Sequence, residues 1–310
     1  MDISIVIGQM CVMLLMIVVG YYLYKKEKLS DISSRHISGL VANVCNPAAL
    51  LCSAFDDGPK LSLLQLGYAF GITLLLYAIL LLMGSLIPRL LKTDPDERHV
   101  YHFLTVYGNV GFLGIPLVSA VLGSSALIFV SLNNLVYNVL FYTYGLSIIR
   151  KKAGIKAQNS RRDLLGKLVN VGTVSALLTI VFYLSDIPVS AVFTDALTYM
   201  GRATTFLSML VLGTAVAQMP LKTIFCHARD YLFLALRLLL LPIGCVLLLR
   251  SFISDPLLLG TCALLLAVPS GNLPLMSSRE HGLDSDTHAR IIVLSTLLSV
   301  ITIPIVVLFL

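Results

Sequence analysis

Five asparagines, Asn46, Asn109, Asn134, Asn138 and Asn272, stand inside stretches that are otherwise apolar. Each side chain carries both a hydrogen-bond donor and an acceptor, so in a low-dielectric setting it can satisfy exposed backbone or hold a polar ligand. Two of them sit where the chain cannot run on as a simple helix. Asn109 lies in GNVGFLGIP, Gly108 to Pro116, and Asn272 lies in PSGNLP, Pro269 to Pro274. Pro116 and Pro274 lack an amide hydrogen and resist helix continuation, while Gly108, Gly111, Gly114 and Gly271 permit close approach of backbones. A helix that stops and restarts presents carbonyls at its old end. Its new end presents unpaired N–H groups and the positive end of the dipole. Two such breaks meeting would form a small polar site, suited to a carboxylate that faces the amide ends.

The remaining polar positions leave alternatives open. Asn46 precedes Pro47 in VCNPAALL, where the proline frees the carbonyl of Asn43 and either opens the helix toward the site or only kinks it. Asn134 and Asn138 share one helical face with Asn133 close by. Such a stripe either lines a ligand cavity or bonds to a neighbouring helix. Arg202, Thr204, Thr205 and Ser208 add polar groups to another apolar run, where Arg202 is expected to snorkel toward the interface. No Asp or Glu falls near the middle of an apolar run, which weakens a proton or sodium antiporter, since that chemistry generally needs an intramembrane carboxylate. HExxH, paired membrane aspartates and a G-x-S-x-G elbow are all missing, and the histidines lie mainly in connections, so an enzyme is not expected. No cofactor is called for, and coupling to sodium or protons stays open.

The elements that must position these residues follow from composition. A chain of 310 residues that is 57% hydrophobic and 12% charged cannot hide that apolar surface in a water-soluble core, so lipid must be its solvent. Apolar windows give ten spans: about 3–24, 37–55, 62–87, 100–122, 125–149, 164–185, 195–218, 231–250, 257–278 and 288–310. The two interrupted stretches fall in spans four and nine. Lys and Arg gather in odd-numbered connections, including Arg150, Lys151, Lys152, Lys156, Arg161 and Arg162, whereas the other side holds Lys60, Arg202 and Arg250. This asymmetry puts the odd connections in the cytoplasm and both termini outside. It also accounts for the net charge of +6 without a nucleic-acid partner. Arg237 is left inside span eight without a role. The six cysteines fall mostly in apolar runs and read as small buried residues.

The organisation expected is therefore all-α, with ten transmembrane helices as two inverted five-helix repeats and broken, crossing helices in spans four and nine. The first repeat would be 1–149, the basic cytoplasmic linker 150–163 and the second repeat 164–310.

GNVGFLGIPL in span four, NPAALL in span two, RATTFLSMLVLG in span seven, AVPSGNLP in span nine and LSTLLSVITIP in span ten resemble the auxin efflux carrier family, including its bacterial members. The resemblance covers essentially the whole chain. It implies a carrier whose fourth and ninth helices cross at prolines, with a scaffold of helices 1, 2, 6 and 7 that pairs as a homodimer and a transport domain of helices 3–5 and 8–10. It implies that Asn109, Pro116 and Pro269 to Asn272 form the crossing. The ligand would lie between the two domains, with Asn46 and Asn134 or Asn138 contributing. Two departures stand out. Phe206 occupies a helix-seven position that is often proline in the family, and the long hydrophilic loop of the plant members is missing, so auxin specificity is not carried over. The resulting expectation is a secondary transporter that moves a small organic anion, a carboxylate, across the plasma membrane by alternating access. The alternative is a sodium-coupled symporter of the bile-acid type.

Overall fold

The computed structural model describes residues 3–56, 60–155, 166, 168–185, 187, 189–283 and 286–310. Seven helices in it are long and apolar enough to cross a membrane. We label these and the shorter ones in chain order: α1 Ile3–Lys25, α2 Asp31–Phe55, α3 Leu63–Leu90, α4 Arg98–Val106, α5 Val110–Leu122, α6 Ser124–Lys152, α7 Val171–Ser185, α8 Ala191–Gln218, α9 Ala228–Leu249, α10 Pro256–Ala267, α11 Leu273–Glu280 and α12 Asp286–Val307. No strand occurs among the described residues. Seven of the expected spans are thus continuous helices. Spans four and nine are each split in two, as α4 with α5 and α10 with α11. Span six begins outside the described residues, as does most of the expected linker 150–163.

Local chemistry sets the helix starts. Ser30 and Ser62 open α2 and α3 with reciprocal caps: the Ser30 hydroxyl accepts from Ser33 N and Ser33 Oγ accepts from Ser30 N, and Gln65 plays the same part for Ser62. Inside the spans three prolines each follow a widened turn. The N–H groups of Asn46, Ile115 and Leu241 reach back five residues, to the carbonyls of Val41, Val110 and Leu236, and each is followed at once by Pro47, Pro116 or Pro242. A proline ring collides with the carbonyl four residues earlier, and a one-residue shift of the ladder relieves that collision without ending the helix. Pro47 therefore widens α2 rather than breaking it. Pro116 likewise lies within α5, beyond the true interruption at Tyr107 to Asn109, so it is not at the crossing itself. Among the cysteines, Cys45, Cys245 and Cys262 are buried, but Cys11 and Cys226 are exposed, contrary to the sequence reading.

Packing is closest between α1 and α8. A methyl group added to Gly213 would lie 2.1 Å from Ile17 O, and one added to Gly20 would lie 2.4 Å from Leu210 O. The two backbones touch, which is how small residues join helices where lipid offers no hydrophobic drive. Beside this seam α8 also lies against α2 and the first turn of α5, and α7 lies against α2 and α6.

Candidate functional site

The two interrupted spans meet backbone to backbone. Asn109 N donates to Pro269 O at 2.7 Å, and Gly271 N donates to Tyr107 O at 2.8 Å, so that Gly108 and Ser270 pair as in an antiparallel ladder. Ser270 Oγ adds a bond to Leu104 O at 2.8 Å, and Ser270 N donates to Ser295 Oγ of α12 at 3.2 Å. Four helix ends thus converge on one buried point. The pairing satisfies backbone that hydrocarbon would otherwise leave bare. It also demands glycine at one position: a methyl on Gly271 would lie 2.7 Å from Gly108 O and 3.1 Å from Tyr107 O, both backbone atoms unable to move aside.

Around this pairing the polar atoms are incompletely used. Asn109 is 3% exposed; its Oδ1 accepts from Phe112 N and so caps α5, but its Nδ2 has no partner among the described residues. Asn46 Oδ1 on α2, and Thr204 Oγ1 and Ser208 Oγ on α8, are buried and equally unpartnered. Asn46 faces the same break, because a methyl on Gly111 would lie 3.0 Å from its Nδ2. Thr204 and Ser208 stand one turn apart on a single face of α8. Tyr107 OH is also unpartnered, with its ring edge-on to Tyr137 and Phe141 at 5.3 Å each. Native interiors rarely leave buried polar groups unpaired, so the unpartnered Asn109 and Asn46 atoms at this interruption set it apart from the rest of the interior.

The structure does not bring every expected residue there. Asn138 donates to the carbonyl of Asn134 at 2.7 Å and to its Oδ1 at 3.0 Å, and Asn134 Nδ2 reaches Gly172 O of α7 at 3.5 Å. Of the two readings for this stripe, bonding within α6 and to a neighbour is the one these contacts describe. Its companion Asn133 accepts from Tyr77 OH of α3 at 3.3 Å. Asn272 caps nothing with its side chain. It faces a cavity of about 620 Å³, which is also lined by Ala215 and Gln218 of α8, Leu275 and Arg279 of α11, and Arg290 of α12. Pro274 lies in the first turn of α11, and Gly114 lies against Leu265 of α10 at 3.1 Å for an added methyl.

Two features escaped the sequence reading. Arg237, at 1% exposure, sends Nη1 to Leu266 O of α10 at 2.7 Å. Its signal was a lone arginine in the run LALRLLLLP. Asp230, at 1% exposure, is held by Arg290 Nε at 2.8 Å, with Tyr101 OH at 3.4 Å. Nothing local marks that pair, since its members are 60 residues apart.

A family profile described as "Membrane transport protein" matches residues 5–307. A protein of Rhizobium meliloti (strain 1021) named "Putative malonate transporter" is 24% identical over 244 residues, which cover 75% of this chain and 72% of that relative.

Proposed function

We propose a function from one premise: the chain belongs to the membrane transport protein family, the family its motifs resemble, and it is a multi-pass transporter and not an enzyme. The reading is a secondary carrier that moves a small carboxylate across the plasma membrane by alternating access at the pairing of α4–α5 with α10–α11. The observation that carries it is this backbone pairing together with the unpartnered Asn109 Nδ2, Thr204 Oγ1 and Ser208 Oγ. Asn109 Nδ2 at the amide end of α5 suits an anion, the hydroxyls of Thr204 and Ser208 stand on α8, which packs against the first turn of α5, and Asn46, turned about its amide, supplies either a donor or an acceptor.

Ten helices in two inverted repeats complete the proposal, with both termini outside, and the recurrence of packing pairs supports it. α1 lies along α8 as α7 lies along α2; α3 lies on α4 as α9 lies on α10; α6 touches α7 as α12 touches α1. Side-chain bonds between helices also favour two bodies. Ser34 with Thr214, Asp31 with Gln218 and Cys52 with Thr198 join α2 to α8. Tyr101 with Asp230, Glu97 with Thr287, Asp230 with Arg290 and Leu104 with Ser270 join the helices around the crossing. Bonds between the two groups are few: Ser124 donates to Asp56 and Leu61 N donates to Tyr183 OH at 2.7 Å at one end, and Asn134 Nδ2 reaches Gly172 O at 3.5 Å farther along α6 and α7. The cavity at Asn272 lies between α8 and the crossing helices. In this reading α1, α2, α7 and α8 are a scaffold that pairs with a second copy, and the crossing helices move against it.

Counterflow of labelled malonate in proteoliposomes tests the assignment, and a protein that binds without transporting would show none. Asn109→Ala is expected to lower counterflow by about 10- to 100-fold while folded protein stays in the membrane, since one buried donor is worth about 1–3 kcal/mol. Unchanged transport would remove the crossing from the site.

A further inference from the structure

Among the described residues Arg237 is the bulkiest side chain that is wholly buried. It lies in the widened turn Leu236–Leu240 of α9. Its guanidinium rests on the crossing: Nη1 donates to Leu266 O at 2.7 Å, and a methyl on Gly108 would lie 3.5 Å from Nη2. No carboxylate pairs with it among the described residues, and its Nε has no partner. A guanidinium stays charged even when buried, so what balances it is decided by what it touches. Leu266 lies in the last turn of α10, which ends at Ala267. The terminal carbonyls of a helix have no intrahelical partners and carry the negative end of its dipole.

In broken-helix carriers such carbonyl ends are where a mobile cation is held. Here that end is already occupied by a positive charge on a side chain. We propose that Arg237 is a tethered cation at the carbonyl end of α10, taking the place of a bound sodium ion, and that carboxylate transport by this chain is consequently independent of sodium. The inference rests on the carboxylate reading above, and it decides between that reading and the sodium-coupled alternative. A residue that only fills space would be replaced without loss by an uncharged side chain of similar length. A tethered cation would not.

The test compares wild type, Arg237→Lys, Arg237→Met and Arg237→Ala in malonate counterflow, with sodium, choline or low-millimolar guanidinium as the cation. Wild type is expected to run equally in sodium and choline, and Arg237→Lys to keep most of that rate. Arg237→Met and Arg237→Ala should fall at least about tenfold in choline, the scale of one lost charged hydrogen bond. Arg237→Ala should recover in guanidinium or sodium. A wild-type requirement for sodium, a fully active Arg237→Met, or a folded Arg237→Ala that neither cation restores would each overturn the proposal. If Arg237→Ala does not fold, equal rates for the Lys and Met variants overturn it and unequal rates in favour of Lys support it. The thermal midpoint of the purified variants needs no substrate: guanidinium should raise that of Arg237→Ala, or of Arg237→Met if only that folds, and choline should not. Absence of carboxylate transport by wild type would defeat the carboxylate reading, while the midpoint still decides the role of Arg237.

Discussion

The α1–α8 seam and the crossing both depend on glycine, and they use it for opposite ends. At the seam Gly20 and Gly213 let two regular helices touch along carbon and peptide surfaces, and what results is close packing with its internal hydrogen bonds intact. At the crossing Gly271 lets two interrupted helices exchange backbone hydrogen bonds, and what results is a pairing ringed by Asn109 Nδ2, Tyr107 OH and Arg237 Nε without partners. Close packing with satisfied groups has one good arrangement and resists change. Unsatisfied polar groups around a pair of ladder bonds are what a ligand and a moving interface require. On the proposed reading the same residue type marks the rigid part and the working part, and only the neighbouring polar atoms tell them apart.

Substituting each glycine separates the two regions most sharply. Gly213→Ala puts a methyl 2.1 Å from Ile17 O and 2.7 Å from Tyr21 N, neither of which can rotate away. Its cost should reach or exceed the upper end of the about 1–3 kcal/mol typical of overpacking, so the thermal midpoint and the yield of folded protein should drop and transport should fall only in proportion. Gly271→Ala should do the reverse: malonate counterflow per folded molecule should be nearly lost, with a smaller fall in midpoint. If both variants lose transport only as they lose fold, the distinction between seam and crossing is wrong. A middle-sized effect is expected on the face of α8 that looks away from the seam. Ser208→Ala and Thr204→Val remove buried hydroxyls that have no protein partner, so each should leave stability unchanged or slightly raised while weakening transport about 3- to 30-fold, one hydrogen bond's worth. A fall in stability with unaltered counterflow would make them packing residues.

Much of this was legible in the sequence because it rests on local chemistry. The glycine and proline punctuation of GNVGFLGIP and PSGNLP located both interruptions, and the apolar window 62–87 agrees with α3. What escaped depends on contacts between distant residues. The expectation put both Pro269 and Pro116 at the crossing, and the sequence could not separate them, because the place of Pro269 is fixed by its bond to Asn109 N across 160 positions while Pro116 lies within α5. Nor could spacing tell whether the Asn134 and Asn138 face turns to a ligand or to α7; Gly172, whose added methyl would lie 3.0 Å from Asn138 Nδ2, makes the latter contact possible. Asn138→Ala is accordingly expected to lower transport less than Ser208→Ala does, measured by the same counterflow. The opposite order would return that face to the site.

The smallest effect is expected at the membrane surface. Lys152, at the end of α6, donates to Asp96 in the α3–α4 connection at 2.6 Å, and this ammonium group holds the Asp96 carboxyl below its ordinary range. A carboxyl whose folded value is depressed adds stability above its unfolded value, and that stability is lost as pH falls through the folded one. The contribution is present at neutral pH and absent in acid. Asp96 is nearly fully exposed, so salt screens the pair and little stability is at stake. Asp96→Asn should leave the midpoint within error of wild type at neutral pH and physiological salt, with any low-salt difference closing as the solution is acidified. Counterflow should be unchanged for a further reason: α3, α4 and α6 all belong to the group proposed to move, so the pair does not cross the sliding boundary as Asp56 with Ser124 does. A loss of transport in Asp96→Asn with the fold intact would mean that α6 shifts against the α3–α4 connection during the cycle, and the division into two bodies would have to be redrawn between them.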